Sequence, residues 1–381
     1  MLKKTIIYLL TVVLILPVNI VHAESDLAPN AAAAVLIEAS HQEMLYGKNE
    51  KEKMYPASTT KIMTLILIFE ALNEGRLSMD DMVRTSGYAA SMGGSQVFLE
   101  EGETLSASDM IKSIVIASAN DCCVAMAEHL EGSVDAFVEK MNQKAETLKL
   151  VNTHFVNCTG LHDDNHYTCA LDLGLMGAYL LDIGGEQLTN FTTMYDGYIR
   201  ENEKKFWLVN TNKLLNQYEG ADGLKTGFTK EAGYCLVATA KRNGVRMISV
   251  VLGEKEAKVR NQESMSLLDY GFNQYTTEQI YKAGDIITYL EVPNSKEKEI
   301  PVTTANDIVI AVKKGSQAEP DYSIEMDKHE APIAAGEQVG RLVIMHEEKK
   351  IEEFPLIAVS EAIPLTFSQW VHDIYCDLLR A

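Results

Sequence analysis

The chain has few aromatic residues, few prolines and no excess of basic residues. Aromatic side chains make up 7% of its 381 residues, and its 9 prolines and 24 glycines form no tract, which excludes collagen-like, linker-rich and low-complexity proteins. Lys and Arg number 34 against 54 Asp and Glu, a formal net charge of −20, and this acidity argues against nucleic acid as a partner. Hydrophobic residues still make up 46%, so the chain can bury a large core, and its length favours two folded units.

The chain also lacks the spacing of a disulfide framework or a zinc site. Two of its 6 cysteines, Cys122 and Cys123, are adjacent and poorly placed to pair with each other. Most of the others stand among apolar or small residues, where a free thiol packs as a small hydrophobe. His154, His162 and His166 lie in a polar loop with a single cysteine nearby, unlike the ligands of a zinc site. We expect reduced thiols, no metal and no cofactor.

Residues 1–23 have the pattern of a secretory signal peptide. Two lysines precede an apolar stretch that ends at Pro17, and small residues lie at the cleavage positions Val21-His22-Ala23. A membrane-spanning helix needs about 20 apolar residues, which this stretch does not reach. We therefore expect cleavage and export rather than a retained N-terminal anchor.

Helical and strand patterns divide the rest of the chain. Helical spacing of apolar residues predicts a block of helices over residues 57–74, 107–130 and 133–149. Two β-rich runs, 234–240 and 246–252, flank Asn243-Gly244, which is a strong signal for a β-hairpin. With the apolar run at 33–37, they predict an antiparallel sheet packed beside helices, in an α+β domain that covers residues 24–275.

After residue 275 the pattern changes to short β-rich stretches separated by glycines, prolines and charged clusters. Such spacing predicts a small all-β domain over residues 276–363. In residues 364–381 apolar side chains recur as in an amphipathic helix. The helix lacks the basic rim that strengthens lipid binding, so membrane association competes with docking onto the all-β domain.

A nucleophile and a base stand three residues apart at the start of the first predicted helix. In Ser58-Thr59-Thr60-Lys61 the i, i+3 spacing places the hydroxyl and the amine on one helical face. A serine hydroxyl needs an adjacent base to become a good nucleophile, and a lysine can be that base when burial or a second cation lowers its pKa. Alone, this pattern is weak because it arises by chance in many chains.

Two further motifs strengthen the pattern. Ser118-Ala119-Asn120 lies on the second predicted helical run, and Lys225-Thr226-Gly227 shortly precedes the hairpin. Three motifs in this order are typical of class A β-lactamases and penicillin-binding proteins, although Ala119 replaces the usual Asp. With Pro56-Ala57 before Ser58 and with Gly160-Leu161, the chain resembles the low-molecular-mass penicillin-binding proteins, which are serine D-alanyl-D-alanine carboxypeptidases of peptidase family S11.

The resemblance implies the penicillin-binding/β-lactamase-like transpeptidase fold and a role for each motif residue. Ser58 would attack the carbonyl of the penultimate D-alanine of a peptidoglycan stem pentapeptide, and Lys61 would accept its proton. Water would then hydrolyse the acyl-enzyme. Ser118 would pass a proton to the departing D-alanine, and Asn120 would hold the substrate amide and orient Lys61. β-Lactam antibiotics would acylate the same serine.

The resemblance also implies how the substrate is bound. Lys225 would keep the catalytic lysine neutral and attract the substrate carboxylate, with Thr226 and Gly227 beside it. Arg260 would be a second anchor for the terminal carboxylate, because its planar guanidinium can bind a carboxylate through two parallel hydrogen bonds.

An oxyanion hole is the last implied element. The backbone N–H groups of Ser58 and Phe228 would form it, and Phe228 is named for its backbone alone. Asp172 matches an acid near the active-site loop of the family, and we expect it to have a supporting role.

A class A-like β-lactamase and a D,D-endopeptidase share this machinery and are the alternatives. The segment 186–190 superficially resembles the deacylating loop of a β-lactamase, but Thr189 stands where leucine is expected and no proline follows Glu186. The resemblance favours a carboxypeptidase that is exported to the cell-wall space and held at the outer face of the cytoplasmic membrane by its terminal helix.

Overall fold

The structure is a computed structural model that describes residues 26–39, 42–200, 204–315, 321–346 and 349–380. The predicted signal peptide lies outside these residues. The described helices are α1 (Lys61–Asn73), α2 (Gly87–Ala90), α3 (Ala107–Ile116), α4 (Asn120–Glu131), α5 (Val134–Thr147), α6 (Ala170–Thr192), α7 (Ala257–Gln274) and α8 (Phe367–Arg380). The described strands are β1 (Ala33–Glu38), β2 (Glu43–Lys48), β3 (Met82–Arg84), β4 (Thr104–Ser106), β5 (Asp196–Ile199), β6 (Phe206–Val209), β7 (Ala221–Thr229), β8 (Gly233–Arg242), β9 (Val245–Glu254), β10 (Tyr275–Tyr281), β11 (Thr288–Glu291), β12 (Glu299–Thr303), β13 (Ile308–Lys313), β14 (Asp321–Met326), β15 (Gln338–His346) and β16 (Lys349–Ala358).

Five strands form an antiparallel sheet in the order β2-β1-β9-β8-β7. The predicted hairpin is present, since β8 and β9 pair antiparallel and are joined by Asn243 and Gly244, whose φ angles of 49° and 82° suit a two-residue hairpin turn. The predicted strand at 33–37 is β1, which pairs with β2 and β9. Strand β7, which carries Lys225, lies at one edge of the sheet.

Both faces of this sheet are covered, which explains why its strands are apolar at nearly every position. Along β1, Val35 and Ile37 belong to the core shared with the helical block. Ala34 and Leu36, which point to the opposite face of the strand, belong to a second core with residues of α7. The sheet with its helices is the predicted α+β domain.

Helix α1 runs through the middle of the helical block. It follows a short 3-10 turn, Ala57–Thr60, and packs against α4, α5 and α6. Its side chains are buried on almost every side, so anything at its first turn is held in a rigid setting. The predicted helices over 57–74 and 133–149 correspond to α1 with its 3-10 turn and to α5.

The helix predicted over 107–130 is wrong as one continuous element. Helix α3 ends at Ile116 and α4 begins at Asn120. Between them Ser118 has a φ of 62°, in the left-handed region that interrupts a helix. The flanking residues Ala117 and Ala119 are small and apolar, so the helical spacing of apolar residues continues across the break. The sequence pattern therefore gives no sign that the helix ends here.

Strands β10 to β16 form the predicted all-β unit. Five of them make an antiparallel sheet in the order β11-β12-β16-β15-β14, and β10 pairs with β13. Their apolar side chains enclose a core of their own, which includes Ile300, Ile310, Leu342 and Leu356.

Helix α8 ends the described part of the chain and agrees with the predicted amphipathic helix. Its aromatic side chains Phe367, Trp370 and Tyr375 are 79%, 44% and 60% exposed. In contrast, Ser368 and Gln369 line a small groove together with lysines of the all-β unit. Within the described ranges, no helix has both the length and the apolar character needed to cross a membrane.

Candidate active site

Ser58 and Lys61 lie at the N-terminal end of α1. Ser58 belongs to the 3-10 turn, and Lys61 is the first residue of the helix. The predicted i, i+3 pair is in contact, because Lys61 Nζ lies 2.9 Å from Ser58 Oγ. Ser58 is half-buried and borders a cleft, whereas Lys61 has no exposed surface.

Three oxygen atoms surround the Lys61 amine. Besides Ser58 Oγ they are Asn120 Oδ1, at 2.7 Å, and the carbonyl oxygen of Thr159, at 2.6 Å. The two amide oxygens can only accept hydrogen bonds, so the Ser58 hydroxyl is the one neighbour of the three that can give this nitrogen a proton. Burial lowers the pKa of Lys61 below its ordinary value, with nearby thiols and Asp121 opposing the shift.

The break between α3 and α4 brings Asn120 to this amine and Ser118 to the cleft. Asn120 Nδ2 donates to the carbonyl oxygen of Gly93 at 2.8 Å, so both ends of the Asn120 amide are held. Ser118 is 3% exposed and lines the cleft. Its Oγ has no hydrogen-bond partner in the described part of the chain. A buried hydroxyl without a partner is available to a ligand that enters the cleft.

Two glycines let the backbone pack closely around Ser58. Strand β7 passes so near that a Cβ atom at Gly227 would lie 3.0 Å from the Ser58 nitrogen and 2.9 Å from the carbonyl oxygen of Pro56. A Cβ atom at Gly160 would lie 1.8 Å from the carbonyl oxygen of Ala57. Larger residues at either position would push the edge strand or the loop away from the nucleophile.

Lys225 and Arg260 bring two more basic side chains to the site, of which Arg260 lines the cleft and Lys225 does not. Lys225 on β7 is 1% exposed and Arg260 on α7 is 5% exposed. Burial lowers the pKa of Lys225 well below its ordinary value, and the nearby charges of Lys61 and Arg260 lower it further. The hydroxyl of Thr226, the residue after Lys225, lies 2.6 Å from that of Thr211.

The cleft has a volume of about 660 Å³, which suits a ligand of a few residues. The predicted residues that line it are Ser58, Ser118, Thr226, Gly227, Phe228 and Arg260. Two lysines that the sequence did not point to, Lys213 and Lys258, lie on its wall as well. No Asp or Glu is among the described residues that line the cleft, although the chain as a whole has a net charge of −20.

Two acids singled out in the sequence lie outside the cleft lining. The Asp172 carboxylate accepts hydrogen bonds from the backbone N–H of Asn152, at 3.0 Å, and from the hydroxyl of Thr153, at 2.7 Å. These bonds connect the segment after α5 to the start of α6. Glu186 is exposed on α6 and is not among the described residues that line the cleft beside Ser58.

The Thr159 carbonyl is the contact of the site that sequence reasoning missed. A backbone carbonyl leaves no side-chain signature, and the available signal was the Asn157-x-x-Gly160 pattern of a tight loop. Lys213 and Lys258 had no signal, since they come from a 3-10 turn and from the start of α7, which only the fold brings to one cleft.

Comparison with known families identifies this arrangement. The profile of peptidase family S11, described as D-alanyl-D-alanine carboxypeptidase, matches residues 20–256. The chain belongs to this carboxypeptidase family. A second profile, that of the C-terminal domain of penicillin-binding protein 5, matches residues 275–362, which include the all-β unit.

Members of the carboxypeptidase family match most of the chain. D-alanyl-D-alanine carboxypeptidase DacF of Bacillus subtilis (strain 168) is 48% identical over 337 residues, which are 88% of this chain and 86% of that protein. The crystal structure of penicillin-binding protein 5 from Haemophilus influenzae is 31% identical with a TM-score of 0.64, and the match covers 88% of this chain and 98% of that one. These matches confirm the predicted penicillin-binding protein fold with its C-terminal all-β domain.

A third relative has a β-lactam in its structure. Penicillin-binding protein D2 from Listeria monocytogenes, in its ampicillin-bound form, is 32% identical with a TM-score of 0.58. The match covers 64% of this chain and 98% of that one.

Proposed function

We propose that the protein is a serine D-alanyl-D-alanine carboxypeptidase that removes the terminal D-alanine from peptidoglycan pentapeptide stems, with Ser58 as its nucleophile. The observation that carries this proposal is the contact of 2.9 Å between Lys61 Nζ and Ser58 Oγ at the edge of a ligand-sized cleft. The same serine is acylated by β-lactam antibiotics.

Lys61 in its neutral form activates Ser58. Its two N–H bonds point to the oxygens of Asn120 and Thr159, which can only accept, and the lone pair is left for the Ser58 hydroxyl. As Ser58 Oγ bonds to the carbonyl carbon of the penultimate D-alanine, its proton moves to Lys61 Nζ. When the tetrahedral intermediate collapses, the C–N bond breaks and the D-alanine nitrogen takes the proton from Lys61 Nζ through Ser118. Water then hydrolyses the ester bond to Ser58, which releases the shortened peptide and returns the proton to the serine.

Charge that develops on the carbonyl oxygen requires an oxyanion hole. The backbone N–H of Ser58 is one donor, and the N–H of Phe228 at the end of β7 is the other. Gly227 supports this assignment because it has no side chain. A Cβ atom at this position would lie 3.0 Å from the Ser58 nitrogen, so a larger residue would push β7 away from Ser58. Loss of such a donor costs about 2.7–4 kcal/mol of transition-state stabilisation.

Lys225, Thr226 and Arg260 bind the carboxylate of the leaving D-alanine. Burial lowers the pKa of Lys225, and an arriving carboxylate favours its charged form again. Substrate binding thus places the proton on Lys225 and leaves Lys61 neutral, because two charged amines in one buried site repel each other. Arg260 keeps its charge through its high intrinsic basicity.

The structure does not favour a class A-like β-lactamase. Glu186, the candidate for a deacylating acid, is exposed and outside the cleft lining. We therefore expect a penicillin to acylate Ser58 and then to be released slowly.

The test uses a fluorescent penicillin together with a soluble pentapeptide that ends in D-Ala-D-Ala. The wild-type protein should be labelled covalently and should release D-alanine, while Ser58→Ala should do neither. Ser91→Ala, which changes an exposed serine on the same domain, is the matched control and should behave as wild type. Labelling that persists in Ser58→Ala would contradict the assignment. Rapid turnover of a chromogenic cephalosporin would favour the β-lactamase instead, and cleavage of a cross-linked peptide dimer faster than the pentapeptide would favour the D,D-endopeptidase.

We also propose that the protein is exported. It is divided into a signal peptide (1–23), the catalytic domain (24–275), the all-β domain (276–363) and an amphipathic helix (364–381). This helix lies on the outer face of the cytoplasmic membrane. Exposed Phe367, Trp370 and Tyr375 support the last step, because an aromatic face left open to solvent suits the interface of a bilayer. Docking of that face onto the all-β domain, the alternative, would instead reduce the exposure of these aromatic side chains.

Fractionation of cells tests this localisation. Deleting 366–381 should move the protein from the membrane to the soluble fraction, and Trp370→Ser should weaken membrane association. Ser368→Ala changes the polar side of α8 and is the control. An unchanged distribution of the deletion variant would favour the alternative in which the helix does not bind lipid.

A further inference from the structure

His166 is a buried histidine that connects two parts of the active site. It is 2% exposed. Its Nε2 lies 2.8 Å from the Thr60 hydroxyl, in the 3-10 turn between Ser58 and Lys61. Its Nδ1 accepts a hydrogen bond of 3.0 Å from the backbone N–H of Val156.

These two contacts define the protonation of the ring. A backbone N–H can only donate, so Nδ1 must be unprotonated, and the ring hydrogen is then on Nε2, which donates to Thr60. Burial lowers the pKa of His166 to about 4, so the ring is neutral at neutral pH, as both hydrogen bonds require. A protonated ring would lose the bond from Val156.

The loop that His166 holds is the one that supplies the Thr159 carbonyl. After Val156, the Asn157 side chain accepts hydrogen bonds from the backbone N–H groups of Thr159, at 3.1 Å, and Gly160, at 2.7 Å. His166 therefore attaches the start of the loop, at Val156, to the nucleophile turn, and the Asn157 side chain folds the residues that follow into a tight turn. Within this turn the Thr159 carbonyl faces Lys61 at 2.6 Å.

We propose that His166 is a positioning residue that fixes the Thr159 carbonyl against the Lys61 amine and so keeps the lone pair of that amine directed at Ser58. This inference rests on the proposed function, because it assigns to His166 a part in the activation of Ser58. Binding of the substrate carboxylate by Lys225 and Arg260 does not pass through His166.

The test compares kcat and KM for the soluble pentapeptide. His166→Ala should lower kcat and the rate of acylation by penicillin about 100-fold, the size of effect expected when catalytic groups are misplaced by about 1 Å. KM should stay near its wild-type value. His166→Gln can still donate to Thr60 from its amide nitrogen, so it should recover a large part of kcat. His162→Ala, a histidine of the same loop that contacts Asp164 instead of the nucleophile turn, is the matched control.

Thr60→Val tests the same hydrogen bond by changing the residue that accepts it. Valine keeps the shape of threonine and removes the acceptor of the His166 bond, so kcat should fall with KM unchanged, and adding His166→Ala should lower it little further. This variant also keeps the inference testable if His166→Ala does not fold.

Four outcomes would overturn the inference: wild-type kcat in folded His166→Ala, a rise in KM with kcat unchanged, no recovery in His166→Gln, or wild-type kcat in Thr60→Val. Failure of the proposed function itself is distinguishable, because the wild-type protein would then neither bind penicillin covalently nor release D-alanine.

Discussion

The two folded units of this protein bury different kinds of residue. In the catalytic unit the buried charged side chains of the described structure are Glu38, Lys61, Asp121, Asp172, Lys225, Glu254, Arg260 and Glu263. In the all-β unit the buried polar side chains of the described residues are Ser295, Thr303 and Thr304, which are neutral. The first two of these donate to backbone carbonyls.

The difference indicates that the catalytic unit is less stable than it could be, because it buries charged side chains that the proposed mechanism uses. Removing a charge from water costs several kcal/mol unless partners compensate it. Among its described residues the all-β unit buries no charged side chain, and its core is apolar. The catalytic unit contains two buried amines, Lys61 and Lys225, whose pKa values burial lowers. In the proposed mechanism a lowered pKa suits Lys61 as a general base, and Lys225 regains its charge when a carboxylate binds.

The largest effect is expected from replacing a buried amine, which should lower activity without lowering stability. Lys225→Met keeps the volume of the side chain and removes its charge, so kcat/KM for the pentapeptide should fall about 10²–10³-fold, as for other lost electrostatic contacts in active sites. The thermal midpoint should stay the same or rise, since an apolar side chain replaces a buried cation. Kinetics and thermal unfolding measure the two effects. Lys204→Met, at an exposed lysine, is the control, and wild-type kcat/KM in Lys225→Met would remove Lys225 from the mechanism.

The reverse result is expected in the all-β unit. Leu342 is fully buried in its core, so Leu342→Ala should destabilise that unit by about 2–5 kcal/mol. Activity on the soluble pentapeptide should remain, because no residue of this unit lines the cleft among the described residues. Calorimetry and kcat measure the two effects, and Ile324→Ala, at a partly exposed position of the same sheet, is the control. Loss of kcat in folded Leu342→Ala would show that the two units are coupled.

A smaller effect is expected from a buried carboxyl group away from the cleft. Burial and the neighbouring Glu263 raise the pKa of Glu254 from 4.5 to about 7. The folded protein therefore keeps a proton that the unfolded chain releases, and this contribution to stability is lost as the pH rises from about 4.5 through 7. Glu254→Gln should reduce the fall in unfolding free energy between pH 5 and pH 8, measured by urea denaturation. A pH dependence identical to that of the wild type would contradict the raised pKa of Glu254.

Much of this fold could be predicted because turn signals and apolar spacing in short segments indicate the secondary structure of those segments. Asn243-Gly244 between two β-rich runs predicted the hairpin, and apolar spacing predicted α1 and α5. The order of the three motifs predicted the family, which the profile match and the relatives confirm. The assignments of Ser58, Lys61 and the other site residues remain predictions that the geometry supports.

Other features depend on the folded chain and could not be predicted. The helix break at Ser118 has neither glycine nor proline to mark it, since tertiary packing holds the residue at a positive φ. The Thr159 carbonyl belongs to the backbone, and His166 reaches Thr60 across 106 positions of the sequence. Contacts of this kind are decided by packing, which local patterns do not encode.

The acid-free wall of the cleft has a consequence for which ligands can enter it. A small ligand with one carboxylate that enters the cleft lies within a Debye length of Lys213 and Lys258, about 8 Å at physiological ionic strength, and meets no acidic side chain among the described lining residues. An extended polyanion differs, because most of its charges remain outside and meet a surface of the same sign. We therefore expect the cleft to bind small ligands with one carboxylate better than anionic polymers, and added salt should weaken this discrimination.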